Sequence, residues 1–413
     1  SGSQSVSITI TENESAPTVT LTVSATSIAE NAGSSLTLTA TLSGAVDETV
    51  TVGIDTGGTS TEGTDYTDGS GNVDDITISA GSTTGTVNFT PTDDSVYEGN
   101  ETAIISIGSV SGGGASESGT QSVTITITEN ESAPTVTLAR SAASIAENSE
   151  STVTLTATLS IKVDEAVTVA LSTSSAATEG TDYGTISDIT ISAGATTGTA
   201  SFTPTDDSVY EGNETGIVAI STVSGGSATE SGTQSVTITI TENESAPTVS
   251  IATSASSVYD NGSNLTLTAT STQASDEAIT VVIGTSGTAT EGTDYANVSD
   301  ITIAAGSTTG TTTFTLTDDS IYEGDESIMV SISSVSGSSA TESGTQSAKI
   351  TITENELAPK IQLSASSLGI MEGSGGSLTL TATATQAADE DITVAFSTSG
   401  TATEGTDYAN VSD

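Results

Sequence analysis

The heptapeptide Ile-Thr-Ile-Thr-Glu-Asn-Glu begins at Ile8, Ile125, Ile238 and Ile350, so whatever this chain folds into it folds into several times. The copies recur at roughly 115 residues, the size of an independent domain and too long for a solenoid unit that needs its neighbours to bury a core. Residues 16–132, 133–245 and 246–357 are read as three whole repeats. Residues 1–15 are read as the closing strand of an upstream repeat, and 358–413 as the N-terminal part of a truncated fourth. A slice of a longer tandem array is expected.

Within the first repeat, apolar residues alternate with Thr and Ser. The runs are Val19 to Val23, Leu36 to Ala40, Val50 to Ile54, Ile76 to Ile78, Val87 to Phe89, Ala103 to Ile107 and Val123 to Ile127. This gives about seven short strands separated by Gly, Asp and Ser turns, with no helical periodicity. One apolar and one hydroxylated face per strand predicts an all-β fold, a sandwich of two antiparallel sheets with wet outer faces. Aromatic residues make up only 3% of the chain, so each core must be aliphatic and thin. The linker Glu129-Asn130-Glu131-Ser132-Ala133-Pro134 is short, and Pro134, Pro247 and Pro359 restrict the joints. An elongated rod of end-to-end domains is expected.

The chain carries 53 acidic and four basic residues, a formal net charge of −49. Binding to nucleic acid requires Lys and Arg against phosphates, and attachment to an anionic membrane meets the same repulsion. With no cysteine and no histidine, disulfides, zinc sites and histidine catalysis are excluded. Carboxylate pairs could hydrolyse glycosides beside a sugar cleft, but they recur in every repeat, tryptophan is absent, and no nucleophile–base constellation occurs. No enzyme is expected.

The acids stand at fixed places. Thr92 to Glu101 reads TDDSVYEGNE and returns as Thr205 to Glu214 and Thr317 to Glu326. Three further acidic turns accompany it in the first repeat: Glu30, Glu62 with Asp65, and Glu129 with Glu131. Loops distant in sequence gather at one pole of an antiparallel sandwich, where bare carboxylates would repel. An oxygen-only donor set suits calcium, which takes six to eight oxygens in flexible geometry. An acidic surface kept for solubility alone needs no such spacing. Glu62, Glu179, Glu291 and Glu404 fit a solvated turn as well as a ligand. Tyr66 and Tyr97, with their counterparts, are expected to pack under their own loops.

Together these motifs resemble the Calx-beta domain: the acidic turn at Glu30, Gly58 to Tyr66, Ala80 to Gly85, Thr92 to Glu101 and Ile125 to Glu131, repeated through Tyr408. The resemblance implies immunoglobulin-like seven-stranded sandwiches with a calcium cluster at one pole, near the next linker. The implied metal ligands are Glu30, Asp65, Asp93, Asp94, Glu98 and Glu129 in the first repeat, with Glu101 beside them. In the second they are Glu147, Asp182, Asp206, Asp207, Glu211, Glu214 and Glu242. In the third they are Asp260, Asp294, Asp318, Asp319, Glu323, Glu326 and Glu354. Asp260 replaces a glutamate and shortens its reach. Glu372 and Asp407 are present in the last repeat without the rest of a site.

Near-identical tandem copies resemble the bacterial branch of the family. The expected function is a calcium-stabilised stalk of a cell-surface adhesin filament, extracellular, projecting an adhesive region and supporting attachment or gliding motility. The alternatives are repeats that themselves bind a surface glycan or protein, or a calcium-sensing regulatory module. Expected partners are neighbouring repeats, and a glycan or protein engaged through regions outside this sequence; neither nucleic acid nor membrane insertion is expected.

Overall fold

The computed structural model describes residues 2–11 and 13–412. Ser1, Glu12 and Asp413, which fall in the expected segments 1–15 and 358–413, lie outside the described residues. Among the described residues there is no helix. The chain divides into two compact units. One comprises Ser1–Ile145, Ser149–Thr205 and Thr215–Ile240, the other Ala146–Asn148, Asp206–Glu214 and Thr241–Asp413.

In the first unit the strands are β1 (Thr18–Val23), β2 (Ser27–Ala29), β3 (Leu36–Leu42), β4 (Val50–Gly58), β5 (Tyr66–Thr67), β6 (Ile76–Ile78), β7 (Thr84–Pro91), β8 (Val96–Tyr97), β9 (Glu101–Ser111), β10 (Ser116–Glu117) and β11 (Ser122–Thr128). They form two five-stranded sheets, β10-β1-β3-β7-β5 and β2-β11-β9-β4-β6. The long pairs are antiparallel, with Val19 opposite Leu42 and Ile125 opposite Ala103. Two short edge pairs, β1 with β10 and β11 with β2, run parallel. Along β3, Leu36, Leu38, Ala40 and Leu42 are buried while the threonines between them are only half-buried. This alternation is the physical basis of the sandwich, because one pleat face meets the other sheet and one meets water.

The core joins both sheets: Val19, Leu38 and Phe89 from one, Val52, Ile76, Ile105 and Ile125 from the other. Each buried aliphatic side chain contributes about 1.5–3 kcal/mol of transfer free energy. Tyr66 stacks on Phe89 with ring centroids 4.6 Å apart and closes the core beneath the acidic loops. Gly58, at φ 116°, ends β4 against the Thr102 carbonyl, where a Cβ would collide.

The unit continues through β12 (Thr135–Arg140), β13 (Ser144–Ala146), β14 (Val153–Leu159) and β15 (Lys162–Val163). β15 pairs in parallel with β8 of the preceding repeat, Lys162 opposite Val96 and Val163 opposite Tyr97. Val163 is fully buried in the second repeat's core, and Tyr97 packs against that same core. The expectation that Tyr97 packs under its own loop is therefore corrected: the ring goes into the neighbour. Residues 2–11 pair with no strand among the described residues, and Val6, Ile8 and Ile10 are exposed. A strand needs a neighbour for its backbone groups, and none is at hand there.

The second unit repeats the plan. Thr309–Thr315, Asn264–Ser271, Thr248–Thr253 and Thr341–Glu342 form one sheet, and Ser257–Tyr259, Ser347–Thr353, Glu326–Ser336, Ile279–Gly287 and Ile301–Ile303 form the other. Further along the same unit, Ile361–Ala365 pairs with Leu380–Ala384 as a two-stranded sheet whose residues are all exposed.

Candidate metal centre

Main-chain hydrogen bonds bring the acidic turns of the first repeat together. The Glu30 amide donates to Thr128 O (3.0 Å), which sets Glu30 beside the exit of β11, and the Thr92 amide donates to Asp65 O (2.9 Å). The Glu30, Glu129 and Glu131 carboxylates each place an oxygen within 4.8 Å of the others, and Asp65, Glu98 and Glu101 form a second such group. Asp93 and Asp94 sit exposed at the rim. Asp94 Oδ1 accepts from the Val96 amide (2.7 Å), and Asp93 Oδ1 from Asn130 Nδ2 (3.4 Å).

Glu129 and Glu131 play different parts. Glu129 Oε2 accepts from the Glu98 and Gly99 amides (2.6 and 2.8 Å). Its Oε1 accepts from the Asn130 and Glu131 amides (2.8 and 2.9 Å). An ionised carboxylate offers about four lone-pair sites, and here the main chain takes them. Burial pushes the Glu129 carboxyl up, but the amides of Glu131, Glu98 and Gly99 outweigh it and hold the pKa below the ordinary value. Glu131, by contrast, has its Oε2 closed to water without a hydrogen-bond partner. Contact with the Glu129 carboxylate, then burial, raises Glu131 to about 7.

The remaining carboxyls pay for crowding. Burial, then the charges of Glu129, Asp94 and Asp93, raise Glu30, which also accepts from the Asp94 amide (3.2 Å). Burial, then Asp65, Glu101 and Asp94, raise Glu98 to about 8. Burial, then Asp65 and Asp164, raise Glu101 to about 7. Asp65 is buried, with Oδ2 accepting from the Thr61 amide (2.5 Å).

The second unit shows the same construction twice. Glu147, Glu242 and Glu244 cluster, as do Asp260, Glu354 and Glu356. Glu242 accepts from the Glu211 and Gly212 amides (2.6 and 2.7 Å), and Glu354 from those of Glu323 and Gly324 (2.5 and 2.8 Å). Glu244 Oε2 and Glu356 Oε2 are again closed off and unpartnered. Burial, then Glu242, raises Glu147 to about 7. Burial, then Asp294, raises both Glu323 and Glu326 to about 7. Asp207 and Asp319 each accept from the amide two residues on, at Val209 (2.6 Å) and Ile321 (2.7 Å). Asp206 adds its charge near Glu244, and Asp318 accepts from Asn355 Nδ2 (3.5 Å). Asp260 keeps its place despite the shorter side chain and is buried. Asp182, in the first unit, accepts from the Thr178 amide (2.5 Å). Glu214 opens the strand Glu214–Ser224.

The Glu62 series resolves to a loop fastener. Glu62 accepts from the Val73 amide (2.6 Å) and the Thr56 hydroxyl (3.0 Å); Glu179, Glu291 and Glu404 make the corresponding pairs. Two groups stand outside the ligand set read from the sequence. One is Glu131 with Glu244 and Glu356: the sequence places Glu131 at an acidic turn beside Glu129, but the implied ligand set does not include it. The other is Asp164 with Asp389, whose signal was the recurring Asp-Glu pair at Asp47-Glu48, Asp164-Glu165, Asp276-Glu277 and Asp389-Glu390.

A family model described as the Calx-beta domain matches residues 12–131, 129–244, 242–356 and 354–413. The chain belongs to the Calx-beta domain family. No curated protein matches the sequence. Among solved structures, CBD12 from CALX1.2 aligns at 16% identity and TM-score 0.25, covering 54% of this chain and 99% of that one. Invasin, a bacterial integrin-binding protein, aligns at 16% and 0.27, covering 83% and 61%. The Yersinia pseudotuberculosis adhesin InvE aligns at 15% and 0.26, covering 55% and 66%. The donor chemistry of these Calx-beta repeats fits a hard cation: oxygen donors only, buried carboxyls that repel one another, and an unpartnered carboxylate oxygen in each cluster that ends in Glu131, Glu244 or Glu356.

Proposed function

We propose that each complete repeat binds calcium at its acidic pole, and that the array is a calcium-stabilised stalk of a bacterial cell-surface adhesin. The stalk projects an adhesive region and supports attachment or gliding. The observation that carries the calcium reading is the closed-off, unpartnered Oε2 of Glu131, repeated at Glu244 and Glu356, each beside a neighbouring carboxylate that raises its pKa. A buried acceptor without a donor is costly, and a cation removes both that cost and the repulsion. Glu30, Asp65, Glu98, Glu101 and Glu131 would hold the ions, with Asp93 and Asp94 at the rim, while Glu129 shapes the loop that presents them. The ion supplies positive charge and fixes loop geometry; no chemical step is involved. The stalk reading rests on the near-identical repeats, joined by linkers of a few residues, and on their lack of catalytic groups.

Calcium titration of the full chain by calorimetry tests the first part. The D93A/D94A variant, together with its counterparts in the other repeats, is expected to lower affinity. Unchanged affinity and stoichiometry in those variants would remove this wall from the site. Small-angle scattering with and without a chelator tests the second part, and an unchanged profile would reject the stiffening role.

A further inference from the structure

The carboxylates Asp65, Glu98 and Glu101 all belong to one repeat, yet the strand that carries Glu98 onward is docked on another. β8 and β15 pair in parallel, with Val163 opposite Tyr97, so Asp164 and Glu98 are the residues that directly follow the last paired positions of the two strands. The placement is built by apolar burial. Val163 is fully buried and Tyr97 packs on the same core, so Asp164 is fixed at the rim without having to pack itself. We propose that a cation held by Asp65, Glu98 and Glu101 is also ligated by Asp164 of the following repeat, so that the site is complete only when the two repeats are docked.

Two further observations support the assignment. First, Asp164 lies near enough to act electrically on the cluster: its charge is among those raising Glu101, and that of Asp65 is among those raising Asp164. Bare, it is a fourth like charge facing three others, an arrangement that costs stability without a counter-ion. Second, the joint is built again in the second unit. There the Tyr322 amide donates to Ala387 O (3.0 Å) and the Asp389 amide to Tyr322 O (3.3 Å). Asp389 in turn acts on Glu323 and Glu326. Tyr210 makes the same exchange with Ala274 and Asp276, at 3.0 and 3.2 Å. At Asp389 this main-chain contact is made by the amide and not by the carboxylate.

The inference rests on the calcium reading of the pole, and the test separates the two. The full 413-residue chain is titrated with calcium by calorimetry, and its thermal unfolding is followed in calcium and in chelator. One variant is D164N/D389N. The other neutralises the clusters themselves, D65N/E98Q/E101Q with D294N/E323Q/E326Q. In D164N/D389N two sites are expected to weaken about tenfold or more, because calcium affinity follows ligand charge count. Its unfolding midpoint in chelator should equal or exceed the parent's, while the increment given by calcium shrinks. Parent-like binding in D164N/D389N, with sites lost in the cluster variant, overturns this inference and leaves the pole reading intact. Parent-like binding in both variants overturns both. An equal drop of the midpoint in calcium and in chelator assigns Asp164 a structural role and also overturns the inference.

Discussion

At the scale of the residue, two glutamates separated by one asparagine do opposite things. Glu129 has both oxygens held by main-chain amides, whereas Glu131 takes a side-chain donor from Asn130 on Oε1 and leaves Oε2 closed off without one. Truncation by E129A leaves four loop amides without their acceptor and should destabilise the chain by about 3 kcal/mol with or without calcium. The substitution E131Q relieves repulsion instead, so it should leave metal-free stability unchanged or raised while weakening calcium binding; parallel denaturation and titration curves distinguish the two. The pH dependence follows from the same contrast. Glu98, raised to about 8, contributes stability that is full below the ordinary glutamate value of 4.5 and is lost as pH rises through about 8. Glu354, lowered to about 2 because the amides of Glu356, Glu323 and Gly324 outweigh its burial, contributes stability above 4.5 that is lost as pH falls through about 2. Metal-free unfolding midpoints should therefore peak near 4.5 and decline on both sides. Calcium at pH 7 should displace protons, read as a heat that varies with buffer ionisation enthalpy.

At the scale of the element, β8 is the informative strand. It is two residues long, contributes nothing to its own repeat's two sheets, and carries Tyr97 onto the next core. Replacing that half-buried ring by Y97A should cost about 1–2 kcal/mol and speed amide exchange at Lys162 and Val163, with exchange at Leu38 unchanged. The long strands were legible in the sequence because alternation such as Leu36 to Leu42 has a period of two, which only a sheet with one wet face explains. The strands β5, β8 and β10 were not, because two residues cannot display a period. The acidic turns were legible as places, since their spacing repeats, but their parts were not. Whether Glu129 or Glu131 meets the main chain depends on which amides the loop turns inward, and sequence does not encode that. Glu62 read equally as turn or ligand until the Val73 amide and the Thr56 hydroxyl were seen to occupy it. Tyr97 was assigned to its own loop because a sequence names an apolar side chain without naming the core it enters.

At the scale of the whole molecule, the question is whether calcium acts as a ligand or as mere ionic strength. With 53 acids against four bases, any salt lowers the general self-repulsion of the chain. At physiological ionic strength, however, screening acts over about 8 Å. The clustered carboxylate oxygens lie within 4.8 Å of one another, inside that length and partly shielded from water. Mobile sodium therefore relieves the repulsion between distant acids but not that between Asp65, Glu98 and Glu101. Millimolar calcium chloride should raise the unfolding midpoint by several degrees in a saturable way, and sodium chloride of matched ionic strength should not reproduce the rise. Magnesium, which holds its waters and demands a stricter octahedron, should give a smaller rise at equal concentration. If sodium matched calcium degree for degree, the net charge alone would account for the effect, and the fixed spacing of these acids would be a property of the turns with no ion to hold.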